Sequence, residues 1–297
     1  MTNRPEPAPG VLYLVGTPIG NLGDLSPRAK SILEKVSAIA CEDTRHSLKL
    51  VNTLKIKVEL ISFHKNNQST RTPQIIKLLQ NKKSIALISD AGLPGISDPG
   101  EELVTSAKKI GIEVICIPGP CAATTALICS GLPTNRFCFE GFLPAKGKER
   151  IKRLNLISIE NRTSIIYESP HRLNKLLEEL SNLCGENRSL QVARELTKKH
   201  EEMIGDNIGQ VIKHFSKIKP RGEFTLVIGG LLAKNKVPLS EEVMLEEMNK
   251  LIETGLSSSE AAKLFSKDSG ISRRLLYNLL HKLKVTKSQK IDNIKNT

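Results

Sequence analysis

The stretch Ser84-Ile-Ala-Leu-Ile-Ser89, Asp90-Ala-Gly-Leu-Pro-Gly-Ile-Ser-Asp-Pro-Gly100, Glu101-Glu-Leu-Val-Thr-Ser-Ala-Lys-Lys-Ile110 decides the fold. Its first part is a short apolar run of the kind that makes a buried strand. Its middle holds too much Gly and Pro for helix or strand, and its last part carries apolar residues three or four apart, the helical period. Strand, turn and helix in that order make one βα unit. The pattern recurs: Leu12–Val15, Val36–Cys41, Val58–Phe63 and Val114–Ile117 read as strands, with Pro27–Leu33 and Pro73–Gln80 as helices between them. Ser26 before Pro27 is a good N-cap and first-turn pair. Repeated units of this type predict an α/β fold with a parallel sheet.

In a parallel sheet every loop that follows a strand leaves from the same edge. Gly16-Thr-Pro-Ile-Gly20-Asn, Glu42-Asp-Thr-Arg45, His64-Lys-Asn-Asn67, the 90–100 turn and Pro118-Gly-Pro-Cys-Ala122 therefore gather there, where open α/β sheets bind ligands. Around Gly131-Leu-Pro133 a second region begins, with strands expected at Phe137–Phe142, Ser164–Tyr167, Leu190–Ala193 and Phe224–Ile228. The expected organisation is an N-terminal α/β domain at 11–130, a second α/β domain at 131–232, a linker over Ala233–Pro238 and a small helical appendage at 240–285. In that appendage Ser257-Ser-Ser-Glu260 has capping-box spacing, and Ala261, Ala262, Leu264 and Phe265 share a face. A second helix after Gly270, with Leu276, Leu279, Leu280 and Leu283 in a stripe, gives a helix-turn-helix pattern. It fits either a nucleic-acid contact through Arg273 and Arg274 or a packing hairpin with a charged outer face.

With 297 residues the chain is long enough for two domains. Lys and Arg number 44 against 31 acids, and the resulting +13 points to a polyanionic partner, nucleic acid before membrane. Aromatics are only 3%, so bases stacked on aromatic platforms are not expected and phosphate contacts must carry recognition. No apolar run approaches the ~20 residues of a membrane span, and Met1–Gly10 is Pro-rich without a signal segment, so a cytoplasmic protein is expected. The cysteines show no Cys-x-x-Cys pair, which suggests neither a zinc site nor a disulfide framework. The first loop lacks Gly-Lys-Ser/Thr and Gly-x-Gly-x-x-Gly; there is no Gly-x-Ser-x-Gly and no His-Glu-x-x-His. Nucleotide hydrolysis, serine hydrolysis and metal catalysis lose their support, and no metal is expected. A pocket built from backbone with a few charged groups at its rim suits a bulky cofactor that brings its own reactivity, hence group transfer.

Leu12-Tyr-Leu-Val-Gly-Thr-Pro-Ile-Gly-Asn-Leu-Gly-Asp24, Cys41-Glu-Asp-Thr-Arg-His46, Ser89 through Gly100, Pro118-Gly-Pro-Cys-Ala-Ala123, Glu140-Gly-Phe-Leu-Pro144, Tyr167-Glu-Ser-Pro-His-Arg172 and Ala193-Arg-Glu-Leu-Thr-Lys198 occur in order over about residues 11–230. Together they resemble the tetrapyrrole methylase family. Leu93-Pro-Gly95 departs from the pattern, where Thr-Pro-Leu is expected. The resemblance implies two α/β domains with S-adenosylmethionine folded in the cleft between them, in a homodimer. It further implies methylation of a cytidine ribose 2′-hydroxyl in the 16S rRNA of the small ribosomal subunit.

By the same resemblance Ile19, Gly92, Pro94, Ile96, Pro118, Gly119, Cys121 and Ala122 line the cofactor, and Arg194, Glu195 and Leu196 close the pocket from the second domain. For the reaction itself, in-line transfer needs an aligned hydroxyl and excluded water, and a carboxylate in reach can take the proton. Asp43 and Glu42, which follow the second strand, are the candidates; the alternative is a strand-end ion pair or helix cap with Arg45. Arg45 suits a phosphate by its planar fork, and His64 would hydrogen-bond RNA at the rim. Lys146 and Lys148 open a basic run that is either a solvated helix face or a phosphate contact. Glu168 and His171 with Arg172 either touch RNA or fix the inter-domain loop. Competing readings are a corrin-precursor or protein methyltransferase of the same fold and a non-catalytic RNA-binding assembly factor.

Overall fold

The computed structural model describes residues 5–231, 241–253, 255–269 and 271–280. The linker expected over Ala233–Pro238, Leu283, and the basic residues beyond 280 fall outside them. Two units are resolved, 1–231 and 232–297.

In the first unit β1 (Leu12–Val15), α1 (Pro27–Lys35), β2 (Ala38–Cys41), α2 (Thr44–Thr53), β3 (Glu59–Ser62), α3 (Gln68–Gln80), β4 (Ile85–Ile88), α4 (Glu101–Lys109), β5 (Val114–Ile117) and α5 (Ala122–Cys129) follow in order. The strands form an all-parallel sheet in the order β3-β2-β4-β1-β5. Ser26 caps α1 by accepting from Ala29 N at 3.1 Å, with Pro27 in the first turn. α3 begins five residues before the expected Pro73, which lies inside it. α2 was not expected. Asp43, read from the sequence as part of a rim loop, is the N-cap of that helix.

β6 (Phe137–Phe142), α6 (Lys148–Ile159), β7 (Thr163–Glu168), α7 (Leu173–Cys184), β8 (Leu190–Arg194), β9 (Glu202–Ile204), α8 (Ile208–Phe215) and β10 (Phe224–Ile228) build the second half. The sheet order is β6-β7-β10-β8-β9, with β6 and β7 parallel and β10 antiparallel to both its neighbours. α7 buries Leu173, Leu176, Leu177 and Leu180 at helical spacing, each contributing about 2 kcal/mol of apolar burial.

One apolar cluster joins the halves. Ile19, Ala123, Ala126 and Leu127 from the first meet Ile165, Ala193, Leu196 and Val227 from the second. Above it Tyr167 Oη accepts from Ala123 N at 3.0 Å, supplying the cap that Cys121 does not give α5. The strand-end loops of the parallel sheet thereby face the second sheet across a cleft.

The second unit holds α9 (Glu241–Glu253), α10 (Ser258–Ser269) and a further helical stretch at 273–280. Ser257 N donates to Glu260 Oε2 at 2.9 Å and Glu260 N to Ser257 Oγ at 3.3 Å, so the capping box forms. Met244, Met248, Ala262, Leu276, Leu279 and Leu280 share a core. α9 thus adds a third helix to the two that the sequence indicates. Leu264, expected on the apolar face, is instead 45% exposed.

Candidate active site

Three strand-end loops are stitched together by backbone. Thr17 N donates to Gly92 O at 2.9 Å and Gly92 N returns the bond to Thr17 O at 3.1 Å. Thr17 Oγ1 lies 3.3 Å from both Ser89 O and Gly92 O. Gly16 and Gly119 approach so closely that a Cβ on Gly119 would stand 2.8 Å from Gly16 Cα. The 90–100 turn holds its path through left-handed positions at Gly92, Gly95 and Ser97.

These loops and the second sheet enclose a cavity of about 410 Å³. From the first half Ile19, Glu42, Asp90, Gly92, Ile96, Asp98, Cys121 and Ala122 face it; from the second, Phe142, Tyr167, Glu168 and the 222–225 segment. Its acidic lining residues are Glu42, Asp90, Asp98, Glu168 and Glu223. Of these, Glu168 has a sealed side chain paired with Arg172 at 3.1 Å, and Glu223 pairs with Lys198 at 3.0 Å. None of the described lining residues is Lys, Arg or His. On a chain of +13 this is an acidic hollow.

The carboxylates differ in state. Burial and then the charge of Glu42 push Asp98 up to about 6, against a hydrogen bond from Ser89. Glu42 is raised as well, first by burial and then by Asp90, with His64 opposing. Asp90 Oδ1 accepts from Asp43 N at 3.2 Å, tying the loop after β4 to the one after β2.

Of the residues expected at the cofactor, Ile19, Gly92, Ile96, Cys121 and Ala122 meet at this wall. Pro94 is buried within its turn. Pro118 and Gly119 lie off the wall, where Gly119 packs against Gly16. Leu196 belongs to the apolar cluster joining the halves. Arg194 Nε donates to Arg221 O at 2.7 Å and its guanidinium pairs with Glu202. Glu195, in a left-handed conformation, accepts from Glu223 N at 2.9 Å and from Lys198 Nζ at 3.0 Å. These three brace the loop that borders the cleft.

Glu42 reaches the cavity and Asp43 does not. Asp43 accepts from Arg45 N at 2.8 Å and from Arg45 Nη2 at 2.7 Å, and the Arg45 side-chain hydrogen bond holds its carboxyl well below the usual range. This is the cap-and-ion-pair alternative, and it makes Asp43 a poor proton acceptor. Arg45 keeps an exposed guanidinium. His64 Nδ1 accepts from Asn66 N at 3.3 Å.

Lys146, just before α6, and Lys148, its first residue, are exposed. Arg150 in the same run is 3% exposed, paired with Glu179 and donating to Pro144 O at 2.8 Å, while Arg153 pairs with Glu140. Arg172 donates to Leu143 O at 2.5 Å and pairs with Glu168 at 3.1 Å, which is the loop-fixing arrangement. Arg273 and Arg274 are exposed in the second unit, with Arg273 Nη2 2.8 Å from Ser259 Oγ. The sequence reading passed over Asp90 and Asp98 as residues with a role. The signal was present, since both stand in the Gly/Pro turn that faces the default ligand edge.

No described group of three or more His, Cys, Asp or Glu side chains is arranged to hold a metal, and no described helix is long and apolar enough to cross a membrane. The family model of tetrapyrrole (corrin/porphyrin) methylases matches residues 11–212. A Synechocystis sp. protein named ribosomal RNA small subunit methyltransferase I is 47% identical over 91% of this chain and 97% of its own length. A Thermotoga maritima protein of the same name is 45% identical over 74% of this chain and 99% of its own length. Among solved structures, a Thermus thermophilus uroporphyrin-III C-methyltransferase complexed with S-adenosylhomocysteine shares the fold, with a TM-score of 0.53 and 19% identity, covering 73% of this chain and 96% of that one.

Proposed function

The chain belongs to the tetrapyrrole methylase family, and from that premise we propose that it methylates 16S rRNA in the small ribosomal subunit, in the cytoplasm, at the ribose 2′-hydroxyl of a cytidine. The observation that carries the site assignment is the acidic cavity between the two sheets of a strongly basic chain. S-adenosylmethionine, when bound, supplies a methyl group activated by its sulfonium charge. The residues present fit that group: the wall offers carboxylates and apolar side chains, no described lining residue is a cation, and Gly92, in a left-handed conformation, presents bare backbone where a Cβ would meet Ile19 and Pro120 O at 3.4 Å.

Ile19, Gly92, Ile96, Cys121 and Ala122 are the proposed cofactor-facing residues. Pro94, Pro118, Gly119, Arg194, Glu195 and Leu196 act behind them by fixing loop positions. The proposed acceptor for the hydroxyl proton is the Glu42–Asp98 pair. Neighbouring carboxylates raise one another, and a base poised near the working pH transfers protons more effectively than one held far below it. Asp43 positions Arg45, and through the Asp90 bond it also positions the loop.

Outside the cavity, Arg45, His64, Lys146, Lys148, Arg273 and Arg274 are proposed RNA contacts, with Arg172 reaching RNA only through the loop it braces. The assay uses small subunits from cells that lack the gene, labelled with methyl-tritiated cofactor. Label should enter 16S rRNA at one alkali-resistant ribose; label in a porphyrinoid, or none in rRNA, removes the reading. Replacing both Arg273 and Arg274 by Ala should weaken subunit binding and lower the slope of its salt dependence by about 2. An unchanged slope assigns those helices to packing.

A second copy of the chain is the proposed cover for β6. That edge strand exposes Phe137 and Phe139 at 41% and 37%. Sedimentation velocity at micromolar concentration should give a dimer, and a monomer would remove it.

A further inference from the structure

β2 and β1 flank β4 in the first sheet, so α2, which follows β2, and the loop after β1 stand on either side of the β4 end. Between them lies a second hollow of about 400 Å³, with residues 17–20 on one wall and residues 88–91 beneath. From α2, His46, Lys49 and Thr53 line it at three- and four-residue spacing, so one face of the helix forms the other wall. The hollow shares Ile19, Asp90, Ala91 and Glu223 with the cofactor cavity. A group seated in one therefore reaches the other past Asp90.

The two spaces differ in charge. No described lining residue of the cofactor cavity is a cation, whereas the second hollow carries Lys49, Lys198 and His46 against Asp90 and Glu223. Lys198 is already engaged. It runs over Gly20, where a Cβ would collide with its side chain, and it pairs with Glu195 and Glu223 at 3.0 Å each. Lys49 is exposed and forms no ion pair among the described residues, which leaves its ammonium available to an anion. A further hollow meets the cofactor cavity at Glu42, Ser97 and Asp98, but there Glu101 and Glu102 bring the acids to four against Lys65 and Lys109. A phosphate is repelled on that side and attracted at Lys49. The volume beside α2 suits a group the size of a nucleoside.

We propose that the hollow between the loop after β1 and α2 seats the target nucleotide of the RNA strand, with Lys49 at its rim holding a flanking phosphate and His46 hydrogen-bonding beside it. This rests on the methyltransferase reading above. The sugar is then presented past Asp90 to the wall that holds Glu42 and Asp98, while the acidic cavity is left to the cofactor.

The test is steady-state methyl transfer to small subunits from cells that lack the gene, with S-adenosylhomocysteine affinity measured separately by calorimetry. Lys49→Glu should raise KM for subunits about tenfold or more, with kcat within about threefold and S-adenosylhomocysteine affinity within about twofold of the wild type. Lys49→Ala should raise KM about three- to fivefold and lower the salt slope of subunit binding by about 1. Lys49→Arg, which keeps the charge, should stay within about twofold. Lys83→Glu makes the same change in net charge at an exposed position before β4, on the opposite edge of the sheet, and should raise KM less than about threefold. A Lys49→Glu effect on KM no larger than that of Lys83→Glu overturns the proposal. So does a loss of S-adenosylhomocysteine affinity in step with KM, which would make the hollow part of the cofactor site. A wild type that transfers no methyl to subunits overturns the functional reading itself, which is a separate failure. Should circular dichroism show that Lys49→Glu does not fold, Lys49→Ala is held to the same comparison.

Discussion

Asp98→Asn is expected to slow methyl transfer at saturating cofactor by about 100-fold or more and, at the same time, to make the chain more stable. Both effects come from one cause. The Asp98 carboxyl is pushed from 3.8 to about 6 by burial and by the neighbouring Glu42. In the folded chain its ionised form is therefore disfavoured relative to the unfolded chain. Between about pH 4 and 6 the native state binds the extra proton, so stability falls as pH rises through that window, and the cost persists at pH 7–8. A neutral Asn removes it. The full shift is worth about 3 kcal/mol, and partial exposure discounts that to about 1 kcal/mol, or roughly 2–4 °C in Tm.

Activity has the opposite sign. The proton acceptor must be ionised, so the wild-type rate should fall below an apparent value near pH 6, and this acid limb should be lost or displaced in Asp98→Asn. That value carries the charge of Glu42, which acts on Asp98, so it reports the two carboxylates together. Methyl incorporation over pH 5–8 and a melting curve at pH 7.5 check the two halves. An unchanged rate would sink the proton-acceptor assignment even if the Tm rose as expected.

Gly119→Ala should carry the largest stability loss, about 3 kcal/mol, seen as a lower urea midpoint with an unchanged slope. The added Cβ would meet Gly16 Cα at 2.8 Å and its carbonyl carbon and oxygen at 2.9 Å. Neither backbone can step aside easily, because the two glycines follow β1 and β5, which are paired from Leu12↔Val114 to Val15↔Ile117. Moving one loop also drags Thr17, whose bonds to Gly92 hold the cavity wall. Cofactor affinity should therefore fall about tenfold in the fraction that remains folded. Gly23→Ala is the control. Its nearest neighbour is the Asn21 side-chain oxygen at 3.1 Å, an exposed cap that accepts from Gly23 N at 2.9 Å, so the loss should be no more than that cap, about 1 kcal/mol. Equal losses in the two variants would show that the backbone contact does not matter.

The parallel sheet was legible because its strands and helices obey local periods, and the edge that binds ligands follows from the topology alone. α2 escaped because the residues after Arg45 were not read for a helical period, although Asp43 as a helix cap was one of the open readings and an Asp before a helical run is an N-cap signal. β9 escaped because its three residues follow the charged Lys198-Lys-His-Glu201, where no period can be seen. Arg150 shows a different limit. Its partner Glu179 is 29 residues away on another helix, so spacing within the basic run could not separate a buried ion pair from a solvated face. In the candidate site, the loops that meet were readable from sequence, whereas the side chains that face inward were not. Pro118 and Gly119 share a turn with Cys121 and Ala122, yet only the latter two reach the wall. Glu168 depends most on the third dimension, since its sealed side chain pairs with Arg172 and lies near Arg150 and Glu179, which come from two different helices.

The sign of the hollow against the sign of the rest of the molecule has a consequence for how a strand of RNA can lie. The excess of lysine and arginine draws a phosphodiester chain toward the protein, while Glu42, Asp90 and Asp98 inside the crevice repel a phosphate that would enter it. On the proposed reading a nucleotide would then settle with its sugar dipped inward and both flanking phosphates held outside, so repulsion as much as attraction would fix which atom is presented.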